Sequence, residues 1–545
     1  MSNVYSSFGT RITPQNEPIL GQDMVQNHAG GYVYKLDPLK QLERFLILGS
    51  EGGTYYVGER KLTKENAENT IKCVDTFGRK AVDLIVSVSD AGRAPKNDPA
   101  IFALAIAASA KDPETRAYAL SQLSKVCRIP THLFHFVTYL KNFRGIGGRG
   151  VKRALGEWYN SMPVDKLAYE VVKYQQRDGW ANSDVLRQCH VKTDDPARND
   201  VYCWIVDGLD GLIQYQEKTG YYRLLPNIIY GFEQAKKTDD AGELVKLIKT
   251  YNLSREMLPT EALNHAEVWE ALLEKMPYTA MLRNLGNMSR VGLLKPLSGA
   301  SRTVCERLLN EESIRKARVH PISVLLALKT YAQGHGMKGK GVWEPVAGVI
   351  DALDSAFYLA FNTLEVTNDG ILIGIDCSGS MTYAQVAGIP MSAAEGAAAM
   401  AMACLRAGKD YHTVSYDTKV QRLPPLSPKM RLDQVLKLTS NLTGGGTDCS
   451  VPIQWAIANK VSPDLVLNIT DGETWAGKEH VSQALKRLRQ QSGIAVKSIA
   501  IGMTATNLTI NPPDDPLCLD VAGFSADVPA LVQEFGRQVP AKSCY

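Results

Sequence analysis

The sequence predicts a multidomain chain: an all-helical region of degenerate repeats, followed by an α/β domain with a doubly wound parallel sheet. Three observations carry this reading. At 545 residues the chain is too long for one ordinary core. From about Lys64 to Leu364, apolar residues recur at three- and four-residue spacing in segment after segment. After Asn368-Asp369-Gly370, short apolar runs begin to alternate with helical ones.

Residues 1–30 read as an extended leader and 31–364 as the helical domain. The helical segments are Pro99–Ala110, Pro113–Val126, Thr131–Phe143, Leu167–Gln176, Asp200–Gln216, Glu243–Tyr251, Ala266–Leu285, Thr303–Val319, Ile322–Ala332 and Pro345–Asn362. The breaks between them carry Pro, Gly, Asn or Asp, and no strand candidate lies among them. Helix pairs recur at a period of roughly 40 residues, the spacing of HEAT-like or armadillo-like solenoids. An irregular helical bundle is the alternative.

The boundary falls near residues 362–370, and 365–545 form the second domain. Ile371–Ile375, Tyr411–Tyr416, Leu465–Thr470 and Ala495–Ile501 read as strands. Ser392–Arg406, Leu432–Thr439, Val451–Ala458 and Glu479–Gln491 read as the helices between and after them.

Composition is that of a globular protein, 45% hydrophobic and 22% charged. The net charge of +4 is uneven. Residues 361–545 hold 15 Lys+Arg and 17 Asp+Glu, which leaves 46 and 40, a net of +6, for residues 1–360. That excess permits a polyanionic partner. Ten cysteines are dispersed without a CxxC pair, which argues against a zinc site of the usual spacing and suits a reducing compartment. Cys127, Cys203 and Cys404 read as small buried hydrophobes. The polar N-terminus shows no signal segment. Met391–Leu405 is shorter than a bilayer span and contains Glu395. The expectation is a cytoplasmic monomer with no membrane contact.

The strand Ile371–Ile375 runs directly into Asp376-Cys377-Ser378-Gly379-Ser380. In doubly wound sheets ligands bind at the carboxyl ends of strands. A carboxylate and two hydroxyls at alternate positions of one turn present three oxygens to the same side, a donor set for a hard cation such as Mg²⁺. Gly379 lets the backbone bend, and Cys377 is expected to face the core. Two further loops reach the same edge: Thr443-Gly444-Gly445-Gly446-Thr447-Asp448, and Asp471-Gly472 after Leu465–Thr470. Each motif alone is a common turn. Their conjunction, in this order and in this context, makes Asp376, Ser378, Ser380, Thr447 and Asp471 a candidate metal site. The arrangement resembles the metal-ion-dependent adhesion site of von Willebrand factor A domains. That resemblance implies hydroxyl ligation by Ser378, Ser380 and Thr447, direct or water-mediated binding by Asp376 and Asp471, and completion of the shell by an acidic side chain of a partner.

In the helical domain, the stretch from Lys141 to Arg153 carries Lys141, Arg144, Arg149, Lys152 and Arg153, four glycines and no acid. Its glycines argue against regular helix from Gly145 to Gly150. Backbone amides and guanidinium groups there can hold phosphates; a solvated basic loop is the alternative. A second cluster, Lys173, Arg177, Arg187, His190 and Lys192, has Tyr174 and Trp180 interleaved, the mixture that binds irregular or single-stranded nucleic acid. Arg177-Asp178-Gly179-Trp180 reads as a helix end. Arg283, Arg290, Arg315, Lys316, Arg318 and the run His335–Lys340 add scattered positive charge.

The strings FRGIGGRGVKRALGEWY, YQQRDGWANSDVLRQCH, EVWEALLEKMPYTAMLRNLGNM, KARVHPISVLLALKTYAQGHG and AFYLAFNTLE, followed by GGTDCSVPIQWA and DGETWAG, resemble the Ro ribonucleoprotein autoantigen family, which carries a TROVE domain. The resemblance spans about residues 20–535. It implies a ring of HEAT-like repeats closed by the A-type domain, Y RNA on a basic outer surface, and single-stranded ends of misfolded RNA in a central hole. It also implies RNA quality control, in some cases with an exoribonuclease partner. Carried over, it marks Arg177, Arg187 and His190 as RNA contacts; charge and glycine content add the Lys141–Arg153 set. Two other functions remain open from residues alone. One is a metal-dependent protein-binding scaffold without RNA. The other is a nuclease, for which two aspartates and three hydroxyls without a base are a poor fit to two-metal chemistry.

Overall fold

Asp-Pro pairs start three helices, because proline costs nothing in a first turn and the preceding carboxylate caps the free amides. Asp37 caps Pro38–Leu48, Asp112 caps Pro113–Ser121 and Asp195 caps Pro196–Thr219. In this computed structural model the described residues are 12–49, 59–336, 341–361, 367–384, 391–406, 408–420, 426–440, 445–504, 506–523, 525 and 528–537. The expectations on residues 1–11, on Lys338 and Lys340, on Thr443 and Gly444, and on the boundary at 362–366 fall outside them.

Between Pro38 and Leu359 the described elements are nearly all helices, and neighbours in sequence pack on one another, as in Asn227–Ala235, Ala241–Tyr251 and Ala266–Lys275. Three expected long helices are each divided. Pro113–Val126 breaks at Gln122. Ala266–Leu285 breaks at Met276-Pro277, where proline removes a donor and disfavours helix before it. Thr303–Val319 breaks at Leu309-Asn310, and Asn310 then caps Glu311–Lys316. Helix also begins at Arg149 and includes Gly150, contrary to the glycine argument. Gly145, at φ 77°, and Gly148, at φ 115°, are the two of the four glycines that need the special backbone.

Strands are present where none was expected. Val25–Gln26 (β1) and Tyr32–Lys35 (β2) pair antiparallel. Gln176–Arg177 (β3) and Trp180–Ala181 (β4) form a two-residue hairpin around Asp178-Gly179. Both turn residues have positive φ, 53° and 76°, which is the Asp-Gly hairpin signature. The helix already ends at Lys173.

The two ends of the helical array meet. Arg318 Nη1 lies 3.0 Å from Asp90 Oδ1. His320 Nδ1 accepts from Ile322 N at 3.2 Å, so its Nε2 is the donor to Arg93 O at 3.0 Å. The array is therefore a ring rather than an open bundle.

The second domain is built on Thr367–Asp376 (β5), Gly408–Tyr416 (β6), Leu465–Thr470 (β7), Lys497–Gly502 (β8), Leu508–Thr509 (β9) and Cys518–Ala522 (β10). Five of these form a parallel sheet in the order β10-β8-β7-β5-β6. Alternation along β5 serves two cores. Ile371, Ile373 and Ile375 face the side shared with Ala393–Arg406 and the helical region, while Leu372 joins Ile453 and Leu485 on the other. Apolar packing thus runs without a break from Leu42 to Val532.

The leader lies against this second domain. β2 pairs antiparallel with β9, placing Tyr34 opposite Thr509. Arg44, on the following helix, is buried. Its Nη2 donates to both carboxylate oxygens of Asp520, and its Nη1 donates to Leu508 O at 2.7 Å. Gly502 makes the space: a Cβ there would stand 2.6 Å from Arg44 Cζ. Burial raises the Asp520 carboxyl above its ordinary range and Arg44 opposes the rise. Removing one partner of such a buried pair strands the other charge, at about 3–5 kcal/mol. Arg44→Ala is therefore expected to lower unfolding stability by about that amount in denaturant titration. Arg44→Ala with Asp520→Ala should recover part of it.

Candidate metal centre and nucleic-acid interface

The carboxyl ends of β5 and β7 deliver Asp376 and Asp471 into one buried cluster. Asp376 Oδ1 accepts from Ser378 N at 2.9 Å, and its Oδ2 accepts from Thr470 Oγ1 at 2.6 Å. Ser378 Oγ and Ser380 Oγ are 3.1 Å apart. Gly379 N donates to Gly445 O, tying the first loop to the glycine-rich loop. Trp475 N and Ala476 N both donate to Thr447 O, tying that loop to the one after β7. All five expected residues therefore share one site. Cys377 is buried, as are Cys127 and Cys404; Cys203 is only half-buried.

Two buried oxygens, Thr447 Oγ1 and Asp471 Oδ2, have no hydrogen-bond partner. Unmet buried acceptors are costly, and a divalent cation is what this all-oxygen set would satisfy. Burial raises the Asp376 carboxyl to about 6. Burial, then the neighbouring charges of Asp376 and Glu473, raise Asp471 to about 8.

Sequence reasoning missed three more carboxylates at this edge. Asp417 follows β6 and accepts from Lys419 N at 3.0 Å. Asp448 accepts from Ser450 N and Oγ. Glu473 is fully buried and meets His28 Nδ1 at 2.7 Å and Ala29 N at 3.2 Å. The leader thus straps across the site, and Gly31 allows it: a Cβ there would fall 1.9 Å from Thr474 O. Nothing in a linear reading pairs His28 with Glu473. Trp475, 40% exposed, lies over Gly446 beside the cluster, and Tyr383 is more exposed still.

The basic residues divide. Lys141 Nζ stands 5.5 Å from the Trp180 ring centroid. Lys141, Trp180 and Arg187 line one open cleft with Asp178 and Asp184. Arg177 and Arg187 have side chains 61% and 58% exposed. Arg187 also donates to Val206 O at 2.6 Å. Helix Arg149–Asn160 packs against Asn182–Cys189, so exposed Arg149 and Arg153 and half-buried Lys152 belong to the adjoining surface. Arg144 is exposed and donates to Ala108 O at 3.1 Å, at the end of Asp98–Ala107. His190 is exposed and ends its helix in the left-handed conformation, a shape role. Lys192 is exposed nearby, its carbonyl held by Asn160. Lys173 is not gathered with them. It sits between Tyr169 and Tyr174, against the turn at Arg255–Met257.

Both aspartates are raised above the unfolded value near 3.8. Their protonated forms favour the fold, so stability present below about pH 4 is lost as pH rises through about 8. Without metal, Asp471→Asn is expected to raise the melting temperature at pH 8 and leave it nearly unchanged at pH 4.

The TROVE domain family matches residues 25–224 and 232–369, and the Ro60 vWA domain family matches 370–536. An RNA-binding protein RO60 of Deinococcus radiodurans is 37% identical over 540 residues, 98% of this chain and 99% of that one. An RNA-binding protein RO60 of Caenorhabditis elegans is 33% identical, covering 96% of this chain and 92% of that one. The crystal structure of the Deinococcus radiodurans RO (RSR) protein superposes with a TM-score of 0.68 at 36% identity, over 92% of this chain and 99% of that one. With a helical ring, a parallel-sheet domain and these matches along nearly its whole length, the chain belongs to the Ro60 family.

Proposed function

We propose that this protein is a non-catalytic RNA-binding scaffold that holds small noncoding Y RNA on its basic outer surface. In this reading it also receives single-stranded ends of misfolded RNA in the ring, as part of RNA quality control. The observation that carries it is the cleft where Lys141, Trp180 and Arg187 converge. Exposed guanidinium groups beside an aromatic ring suit phosphates and unstacked bases. The relatives named as RNA-binding proteins support it. The thiols of the nine described cysteines are free, and no described helix is long and apolar enough to cross a membrane. Free, dispersed thiols suit a reducing compartment, and on that ground we propose a cytoplasmic location and read the protein as a monomer.

Asp376, Ser378, Ser380, Thr447 and Asp471 would hold a divalent ion, for which we favour Mg²⁺. When bound, the ion supplies an open coordination position for an acidic group of a protein ligand, such as an exoribonuclease. Exposed Trp475 and Tyr383 give such a ligand apolar contact beside it. That favours protein docking as a second role rather than a replacement for RNA. A metal-dependent nuclease fits less well: Asp417, Asp448 and Glu473 are engaged by Lys419, Ser450 and His28.

Filter binding should show affinity for structured RNA that falls steeply with salt. Arg177→Ala with Arg187→Ala is expected to reduce the log–log salt slope by about two; unchanged binding would remove the outer-surface assignment. A purified protein with no excess absorbance at 260 nm, capturing only proteins, would favour the scaffold without RNA. Added Mg²⁺ should raise the melting temperature more at pH 8 than at pH 5, since it binds the ionised aspartates. Asp376→Ala should abolish that shift.

A further inference from the structure

Where the two ends of the ring meet there is a cavity of about 430 Å³. Pro95 and Lys96 supply one wall from the start of the array. The other walls come from Tyr278–Arg290, Pro321–Ala332 and Trp343. Ser323, Leu326, Ala327 and Thr330 follow the i, i+3, i+4, i+7 spacing of one helix face. All four are half-buried and line this space.

Its chemistry is selective. Among the described residues no acidic one lines it, whereas Lys96 and Arg283 do. Arg283 is exposed and forms no ion pair among the described residues. The aromatic wall is rigid. Trp343 stacks on Tyr331 at 6.3 Å and 19°, and its Nε1 donates to Tyr331 O at 3.0 Å. Tyr331 OH is held in turn by Ser289 at 2.8 Å and by Val346 N at 3.2 Å. The Trp343 ring lies over Gly286, where a Cβ would stand 2.7 Å from it. An apolar cavity with a fixed indole, amide and hydroxyl groups from Asn287 and Thr330, and two cationic residues in its lining is complementary to a base with its phosphate.

We propose that this seam cavity binds one nucleotide of single-stranded RNA, with the base against Trp343 and the phosphate at Arg283. The proposal rests on the RNA-binding reading and adds a site remote in sequence from the Lys141–Arg187 surface. Because its walls come from both ends of the array, occupancy also braces the closure made by Arg318 with Asp90 and His320 with Arg93.

The test uses the full chain and a hairpin RNA, blunt or with a single-stranded 3′ overhang, with adenosine and uridine monophosphates and ribose 5-phosphate as competitors. The overhang should tighten binding. Arg283→Ala, and separately Ala327→Phe to fill the cavity, should each cost about tenfold for the overhang RNA and leave the blunt hairpin unchanged. Nucleoside monophosphates should compete for the overhang and ribose 5-phosphate should not. If Ala327→Phe does not fold, Arg283→Ala with the competition series decides. Overhang binding unchanged by Arg283→Ala would overturn the cavity assignment while leaving the outer surface standing. Equal competition by ribose 5-phosphate would reduce it to an anion site and overturn the base. Failure of wild type to bind either RNA would remove the RNA-binding reading itself.

Discussion

A single guanidinium joins the beginning of this chain to its end. Arg44 leaves the first helix, passes over Gly502 in β8 and closes on Asp520 in β10. Those residues are separated by almost the whole sequence, yet the pair is nearly dry. A buried charge is tolerated only when fully matched, so the geometry around Arg44 is narrowly set. Its Nη1 also holds Leu508 O, which keeps β9 in place to receive β2. With β2 fixed, the leader must run along the sheet edge toward Glu473 and the Asp376–Asp471 cluster. The first helix, meanwhile, is anchored for the ring that follows.

The cluster at the sheet edge is under electrostatic load. Asp376, Asp471, Asp417, Asp448 and Glu473 are all buried or nearly so. Each of the last three is partly answered by the fold, through Lys419 N, Ser450 and His28. Asp471 is the least answered, and Thr447 presents an unmet hydroxyl beside it. The chain therefore carries a deficit of positive charge in one place, and that place is set by where β5 and β7 end. His28 is informative because it belongs to the leader: the strap hydrogen-bonds a carboxylate beside the site, so its seat and the site's geometry are linked.

Much of this was legible in the sequence, for a physical reason. The turn at Asp376–Ser380, the glycine loop before Thr447 and the turn at Asp471 each follow an apolar run or open a helix, and a parallel sheet places all such loops on one edge. Local patterns thus fix a non-local site. Helix existence was equally readable from periodicity. Helix ends were not: Gln122, Pro277 and Asn310 interrupt runs whose apolar spacing continues across the break. The Asp178-Gly179 hairpin was hidden because a two-residue strand has no periodicity to detect. Lys173 illustrates a different gap. Its charge placed it with Arg177, but charge says nothing of direction, and its helix turns it toward Tyr169 and Tyr174.

The contrast between the two basic features follows from ring geometry. Consecutive helices of a repeat array lie side by side, so the basic residues between Lys141 and Lys192, Lys173 excepted, lie on adjoining surface. A seam is different. It brings Lys96 beside Arg283 and Asp90 beside Arg318, pairs that no local pattern connects. In an open solenoid those residues would sit at opposite ends. Closure thus creates a lined cavity from two surfaces that are unremarkable separately. Arg318 and Asp90 are half-exposed, so their pairing contributes little on its own. The seam is held instead by the shared apolar packing and by the His320 cap, which uses one ring nitrogen for its own helix and the other for Arg93 O. A ring closed this way, rather than by a dense ionic zip, leaves Arg283 at the seam available to a phosphate.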